Sequence, residues 1–184
     1  LRDLEGKAAR LASGPAANAP PERLPRALPE RPPEAPPDAA RRDGDFLRAA
    51  WERPELDIQQ HVIERTAKGL IMLNRYPYAN GHLLVALGAA KPALLDYSQE
   101  ERAALWALVD RAVDLCQRTL RPHGVNIGIN QGSAAGAGVP NHLHAHVVPR
   151  WTGDTNFISV VGEVRVIPDA LESMASAYRA AAAG

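Results

Sequence analysis

Beyond residue 43 the apolar positions fall into runs of two different periods. Ile58 to Thr66 (IQQHVIERT) and Gly69 to Asn74 (GLIMLN) lean toward strands, and Ala67-Lys68-Gly69 between them predicts a hairpin turn. Arg75 to Gly81 (RYPYANG) breaks the pattern with Pro, Asn and Gly, after which His82 to Leu87 (HLLVAL) resumes as a strand. Ser98 then offers a helix N-cap with Glu101 three residues later, a capping box. Leu105, Leu108, Val109, Ala112, Cys116 and Leu120 follow as one apolar stripe of helical spacing, closed by Pro122. Val125 to Asn130, His142 to Val148 and Phe157 to Ile167 predict further strands, and Asp169 to Ala183 an Ala-rich helix entered from Pro168. The strands lack regular crossover helices between them, so the pattern predicts an α+β fold with an antiparallel sheet.

Composition changes the picture at the N-terminal end. Of the 16 prolines in the 184 residues, nine fall between Pro15 and Pro37, and the first aromatic residue is Phe46. Residues 1–43 are rich in Ala, Pro, Arg and Glu and carry too little apolar surface to offset conformational entropy. They are expected to be a disordered tail with at most a short helix at Leu4 to Leu11; residues 44–184 are expected to form one domain. Lys plus Arg and Asp plus Glu both number 21, so net charge is zero and no bulk field draws the chain to nucleic acid or an anionic membrane. The single cysteine, Cys116, excludes an internal disulfide and a paired-cysteine zinc clip, and its helical context predicts a core position. No apolar run approaches the roughly 18 residues of a membrane span, and a soluble cytoplasmic protein is expected.

Candidate chemistry lies in Asn141-His142-Leu143-His144-Ala145-His146-Val147-Val148-Pro149. On a strand, the period of two puts all three imidazoles on one face and sends Leu143, Ala145 and Val147 into the core. At about 3.3 Å per residue, His142 and His146 stand roughly 13 Å apart, too far to share a zinc ion that needs nitrogens at about 2 Å. Two of them with His61, His82 or His123 remain a metal-binding alternative. Acid, base and nucleophile chemistry near neutral pH suits imidazole better: the middle histidine attacks an electrophile while a neighbour serves the leaving group. Just upstream, Asn130 to Gly138 (NQGSAAGAG) supplies three glycines able to aim backbone amides at a phosphate. Amides and imidazoles can hold a phosphate without a basic patch, consistent with zero net charge.

The segment His142 to Val148 (HLHAHVV) resembles the signature of the histidine-triad (HIT) family. Leu73-Asn74-Arg75-Tyr76-Pro77 leading to Gly81-His82-Leu83-Leu84-Val85 is similar to the family's nucleoside-binding block. Asn-Arg-Tyr-Pro-Tyr, Asn-Gln-Gly and His-Val-Val-Pro-Arg-Trp resemble the bacterial branch that includes diadenosine tetraphosphate phosphorylases. The resemblance implies a five-stranded or slightly larger antiparallel sheet with one long helix and a C-terminal helix, paired into a homodimer. It implies that His144 attacks an α-phosphorus to form a nucleotidyl-histidine, that His146 contacts the phosphate and assists the leaving group, and that His142 supports the row. Asn74 would bind ribose, Asn130, Gly136 and Gly138 would line the phosphate site, and His82 would support the row as a fourth histidine.

The implied activity is cleavage of a dinucleoside polyphosphate, by phosphorolysis or hydrolysis, with an adenine nucleotide or dinucleoside polyphosphate as ligand. The alternatives are hydrolysis of adenosine phosphoramidates and a slow nucleotide-binding sensor that uses the Pro-rich tail to meet partners. No cofactor is required and no metal is assigned to the protein; a divalent cation would arrive chelated by the polyphosphate. Two departures stand out. Val139 replaces the Ser or Thr of many members, leaving one hydrogen bond absent or supplied by Ser133 or Asn141. The Cys-pair zinc site of related bacterial members has no counterpart, so structural zinc is not expected. Trp151, Tyr76 and Tyr78 are expected to serve packing or dimer contacts, with base stacking as the alternative. Arg75 and Arg150 are expected to be solvated, with distal phosphates as the alternative.

Overall fold

The computed structural model describes residues 44–154 and 169–184. The expected tail and the expected strand Phe157 to Ile167 lie outside the described residues. Within them, β1 (Val62–Arg65), β2 (Gly69–Leu73), β3 (Leu83–Leu87), β4 (Gly124–Ile129) and β5 (His144–Arg150) form one sheet in the order β1-β2-β3-β5-β4. Every neighbouring pair is antiparallel, in agreement with the α+β expectation. Three α-helices accompany it: α1 (Phe46–Glu52), α2 (Gln99–Leu120) and α3 (Leu171–Ala183). No helix among the described residues is long and apolar enough to cross a membrane.

The capping box at α2 forms as its sequence predicts: Ser98 Oγ accepts from the Glu101 amide at 3.1 Å, and Glu101 Oε2 accepts from the Ser98 amide at 2.7 Å. The predicted stripe faces inward, with Leu105, Leu108, Val109, Ala112 and Cys116 all buried and Leu120 partly so. At the other end Arg121 takes a left-handed conformation (φ 47°) and Pro122 follows. α3 runs as its Ala-rich sequence implies and buries Met174, Ala175 and Tyr178 in the same core.

Strand alternation divides the sheet into two faces. Ile71, Val85 and Ala145 stand in register across β2, β3 and β5, as do Leu73, Leu83 and Val147, and all six join the core beneath α2 and α3. The opposite face carries Met72, Leu84 and His146 in one line and Leu70, Ala86 and His144 in the next. There, α1 packs Leu47 and Ala50 against Val62, Leu70, Met72, Leu84, Ala86 and Val139. Val139, where the resemblance noted in the sequence implied a hydroxyl, thus belongs to this second apolar cluster.

Sequence pattern did not predict α1, because seven residues offer too few turns for periodicity to decide. Tertiary contacts hold it instead. Arg65 donates to the Ala50 carbonyl at 2.8 Å and the Trp51 carbonyl at 3.1 Å, satisfying acceptors at the helix C-terminus, while its guanidinium pairs with Asp57.

Two strand boundaries differ from expectation. β1 begins at Val62 instead of Ile58, because His61 adopts φ 56°, which no extended strand accommodates. β5 begins at His144, since the His142 amide closes a turn onto the Val139 carbonyl at 3.1 Å. Only two of the three clustered histidines therefore belong to the strand.

Candidate functional site

The site lies on the sheet face shared with α1, where β3 and β5 meet. His82, immediately before β3, and His146 on β5 are brought together: His82 Nε2 is 3.0 Å from His146 Nδ1. The Tyr78 amide donates to His82 Nδ1 at 3.1 Å, so that nitrogen is an acceptor. Neutral His82 then carries its hydrogen on Nε2 and donates to His146 Nδ1, which places the hydrogen of neutral His146 on Nε2. His146 Nε2 is buried and has no hydrogen-bond partner. A buried donor aimed at nothing is costly unless a ligand meets it.

His144 has the opposite tautomer. Its Nδ1 is 2.9 Å from the His142 carbonyl, which can only accept, so Nδ1 carries the hydrogen and Nε2 the lone pair. The two rings lie 5.0 Å apart, centroid to centroid, with an interplanar angle of 56°. One bare nitrogen and one N–H thus arise from successive positions on one face of a single strand. Burial holds the pKa of His144 below the usual histidine value, and burial with the neighbouring His144 pushes that of His146 down to about 4. Both rings are neutral at pH 7.

This depression has a consequence for stability. An unfolded His146 titrates near 6.5, so between pH 6.5 and 4 the unfolded chain binds more protons than the folded one. The contribution is fully present above the upper value and lost on acidification through the lower, a loss of roughly 3 kcal/mol at about 1.4 kcal/mol per unit. Urea unfolding at pH 7 and pH 4.5 should show a smaller drop in His146→Gln than in the parent; equal drops would refute the assignment.

His142 plays a different part from its neighbours. Its ring is fully buried and stands between two acceptors, the Leu87 carbonyl 2.7 Å from Nε2 and the Asp45 carboxylate 3.1 and 3.2 Å from Nδ1. It reaches His144 through its backbone carbonyl. Asp45 went unnoticed in the sequence, although an Asp directly before Phe46-Leu47 is an N-cap signal; its Oδ1 accepts from the Arg48 amide at 2.9 Å.

Asn74 and the Gly-rich loop are placed with equal definition. Asn74 is buried, its Oδ1 accepting from the Tyr76 amide at 3.0 Å and its Nδ2 lying 3.2 Å from His82 Nδ1. In the loop, Gly132 and Gly136 both take positive φ, 82° and 85°, which only glycine adopts without strain. The amides of Ala135, Gly136 and Ala137 close turns onto the carbonyls of Gly132 and Ser133. Gly136 therefore shapes the loop, and its amide is spent there. Asn130 lies beside Gly136: a Cβ on that glycine would stand 3.9 Å from Asn130 Nδ2. Gly138 leads into the buried Val139 at the edge of the α1 cluster.

Of the remaining candidates, Tyr78 packs on the histidines, its ring 4.7 Å from His82 and 5.7 Å from His146. Arg150 makes a two-pronged bond to Asp154 at 2.6 and 2.7 Å and another to Asn126. His61 faces Glu172 and lines one cavity with Arg75 and Tyr76, and His123 faces Thr152. Arg75 and Tyr76 line a cavity of about 310 Å³ with Phe46, Gln60 and Met72. Met72 is in line with Leu84 and His146 on the same sheet face, two strand spacings or about 10 Å from the histidine.

Comparison with known proteins places this geometry in context. The HIT domain model matches residues 55–153. An AP-4-A phosphorylase of Mycobacterium tuberculosis is 42% identical over 121 residues, covering 65% of this chain and 62% of that protein, so the chain spans less than two thirds of that relative's length. An asymmetrical bis(5'-nucleosyl)-tetraphosphatase of Schizosaccharomyces pombe is 32% identical over 97 residues, 53% of each chain. Among solved structures, a zinc-bound histidine triad family protein of Mycobacterium smegmatis is 30% identical, with a TM-score of 0.62 over 78% of this chain and 95% of that one. For such a zinc ion the described residues offer no fitting donor set: Cys116 is buried in the core, and no three His, Cys, Asp or Glu side chains gather. With the family model covering more than half of its residues and its strand order leading to the same three histidines, the chain belongs to the HIT family.

Proposed function

We propose that this chain is a nucleotidyl transferase or hydrolase that cleaves dinucleoside polyphosphates at the α-phosphate through a nucleotidyl-His144 intermediate. The observation that carries this reading is the pair of opposite tautomers, a lone pair on His144 Nε2 beside an unpartnered N–H on His146 Nε2. The two relatives named for AP-4-A phosphorolysis and tetraphosphate cleavage support the substrate class.

In the first step His144 Nε2 forms a bond to the α-phosphorus while the bond to the bridging oxygen breaks. The electron pair leaves with that oxygen on the departing nucleotide. Phosphate oxygens have a second pKa near 6, so the leaving group needs a hydrogen bond more than a full proton. His146 supplies that bond from Nε2 and keeps its hydrogen, because Nδ1 already accepts from His82. The positive charge that develops on His144 is relieved through its Nδ1–H to the His142 carbonyl. In the second step water or inorganic phosphate attacks the same phosphorus, the bond to His144 breaks with its electron pair returning to Nε2, and a proton lost by attacking water passes to solvent. The cavity on the same face, apolar at Phe46 and Met72 and polar at Gln60, supports a nucleoside position beside Asn74. Asn130 and Gly138 flank the phosphates in this reading, and a homodimer is the expected assembly.

Rapid-quench intact mass of the protein with diadenosine tetraphosphate tests the proposal: an adenylyl adduct should appear and decay. Running the reaction with and without inorganic phosphate separates the two outcomes, ADP with ATP marking phosphorolysis and AMP with ATP marking hydrolysis. Turnover without an adduct, abolished by chelator, would overturn the covalent route, and binding without turnover would favour a sensor.

A further inference from the structure

We infer that Asp45 is a positioning residue for His144, acting through His142 as a clamp that lies outside the segment matched by the HIT domain model. Asp45 precedes residue 55, where the family match begins, and reaches His142 from the N-cap of α1 across 97 positions. The inference rests on the function proposed above and adds a residue to it.

The geometry is specific. His142 is gripped at both ring nitrogens, by Asp45 on α1 and the Leu87 carbonyl on β3. Acceptors face both ring nitrogens, an arrangement that a hydrogen on each nitrogen would satisfy, with Asp45 as the counter-ion. Among the described residues Asp45 is the ionisable side chain bonded to this ring; His144, two positions along, meets His142 through the backbone. Fixing the ring at both ends fixes the His142 peptide, and the carbonyl of that peptide holds His144 Nδ1–H at 2.9 Å. The orientation and tautomer of the nucleophile therefore depend on a carboxylate that never touches the substrate.

The counter-ion has a second effect. Bond formation at phosphorus puts positive charge on His144, next to the His142–Asp45 pair. With Asp45 in place the neighbouring charge is balanced; without it the developing charge is opposed. Loss of Asp45 should therefore slow adduct formation more than it weakens binding.

Asp45 also caps α1, and the test must separate the two roles. Asparagine and serine are N-caps about as good as aspartate, so Asp45→Asn and Asp45→Ser keep the helix but remove the carboxylate. Two measurements are made on each. With diadenosine tetraphosphate, kcat should fall about tenfold or more with KM within about twofold. Without any substrate, nitrogen-15 and proton NMR of the histidine side chains should show the parent His142 with both nitrogens protonated and a protected His144 Nδ1–H resonance, both lost in the variants. An unchanged His144 resonance would overturn the inference whatever the kinetics. If the parent turns over no nucleotide but its resonances still depend on Asp45, the clamp stands and the proposed function falls. Equal loss of melting temperature and of both kinetic constants in the serine variant would assign Asp45 to helix capping alone.

Discussion

Replacement of His144 by glycine is expected to lower the turnover of diadenosine tetraphosphate by about four orders of magnitude and to abolish the adenylyl adduct. On the proposed route no other ring of the row can take over. His146 presents a hydrogen from Nε2, not a lone pair, and His82 spends one nitrogen on the Tyr78 amide and the other on His146. His142 has acceptors at both nitrogens. Glycine in a strand interior also costs about 1 kcal/mol of backbone entropy and removes a buried ring, so folding is checked by circular dichroism. A companion variant, His144→Asn, retains a side-chain donor toward the His142 carbonyl but no nucleophile. It should be equally inactive and closer to the parent in stability. Activity of either variant within tenfold of the parent would place the nucleophile elsewhere.

The largest expected effect on stability is at Tyr178. This side chain is fully buried on α3, and its hydroxyl donates to the Gly81 carbonyl at 2.8 Å. Gly81 stands at φ 78°, with the Leu120 side chain 2.3 Å from where a Cβ would lie, so the turn before His82 is pressed from two helices. Tyr178→Ala should cost about 4 kcal/mol, the range for removing a buried aromatic ring. Tyr178→Phe keeps the ring and leaves the Gly81 carbonyl without its donor, for a loss of about 1–2 kcal/mol. Denaturant midpoints measured at constant slope check both. A Tyr178→Ala loss under 2 kcal/mol would mean that α3 is not integral to the core.

What the sequence made legible was whatever depended on near neighbours. The Ser98 and Glu101 box, the stripe from Leu105 to Leu120 and the Ala67-Lys68 turn each involve residues a few positions apart, and each formed as predicted. The alternation of His144 and His146 with Ala145 and Val147 likewise required only strand geometry. The misreadings arose where a single backbone angle or a distant partner decided. Positive φ at His61 shortened β1, and a turn from Val139 removed His142 from β5. α1 forms because Arg65 satisfies its carbonyls and the sheet receives Leu47 and Ala50, and both of these partners lie outside its own seven residues. The loop glycines promised a set of phosphate-facing amides, yet three of those amides close the loop on itself, since short turns take the nearest carbonyl first. Tautomers were beyond reach from sequence, because each follows from a partner supplied by another segment.

The adjacency of β3 and β5 gives the site a particular relation to folding. His82 meets His146 across 64 positions, and Asp45 meets His142 across 97, whereas the β1-β2-β3 meander is built from consecutive hairpins. Loop-closure entropy grows with such separations, and contacts of this kind are repaid only when the intervening α2 and β4 are in place. No local fragment contains the chemistry. The site needs β3 and β5 side by side in the complete sheet, so the turnover proposed above would report complete folding.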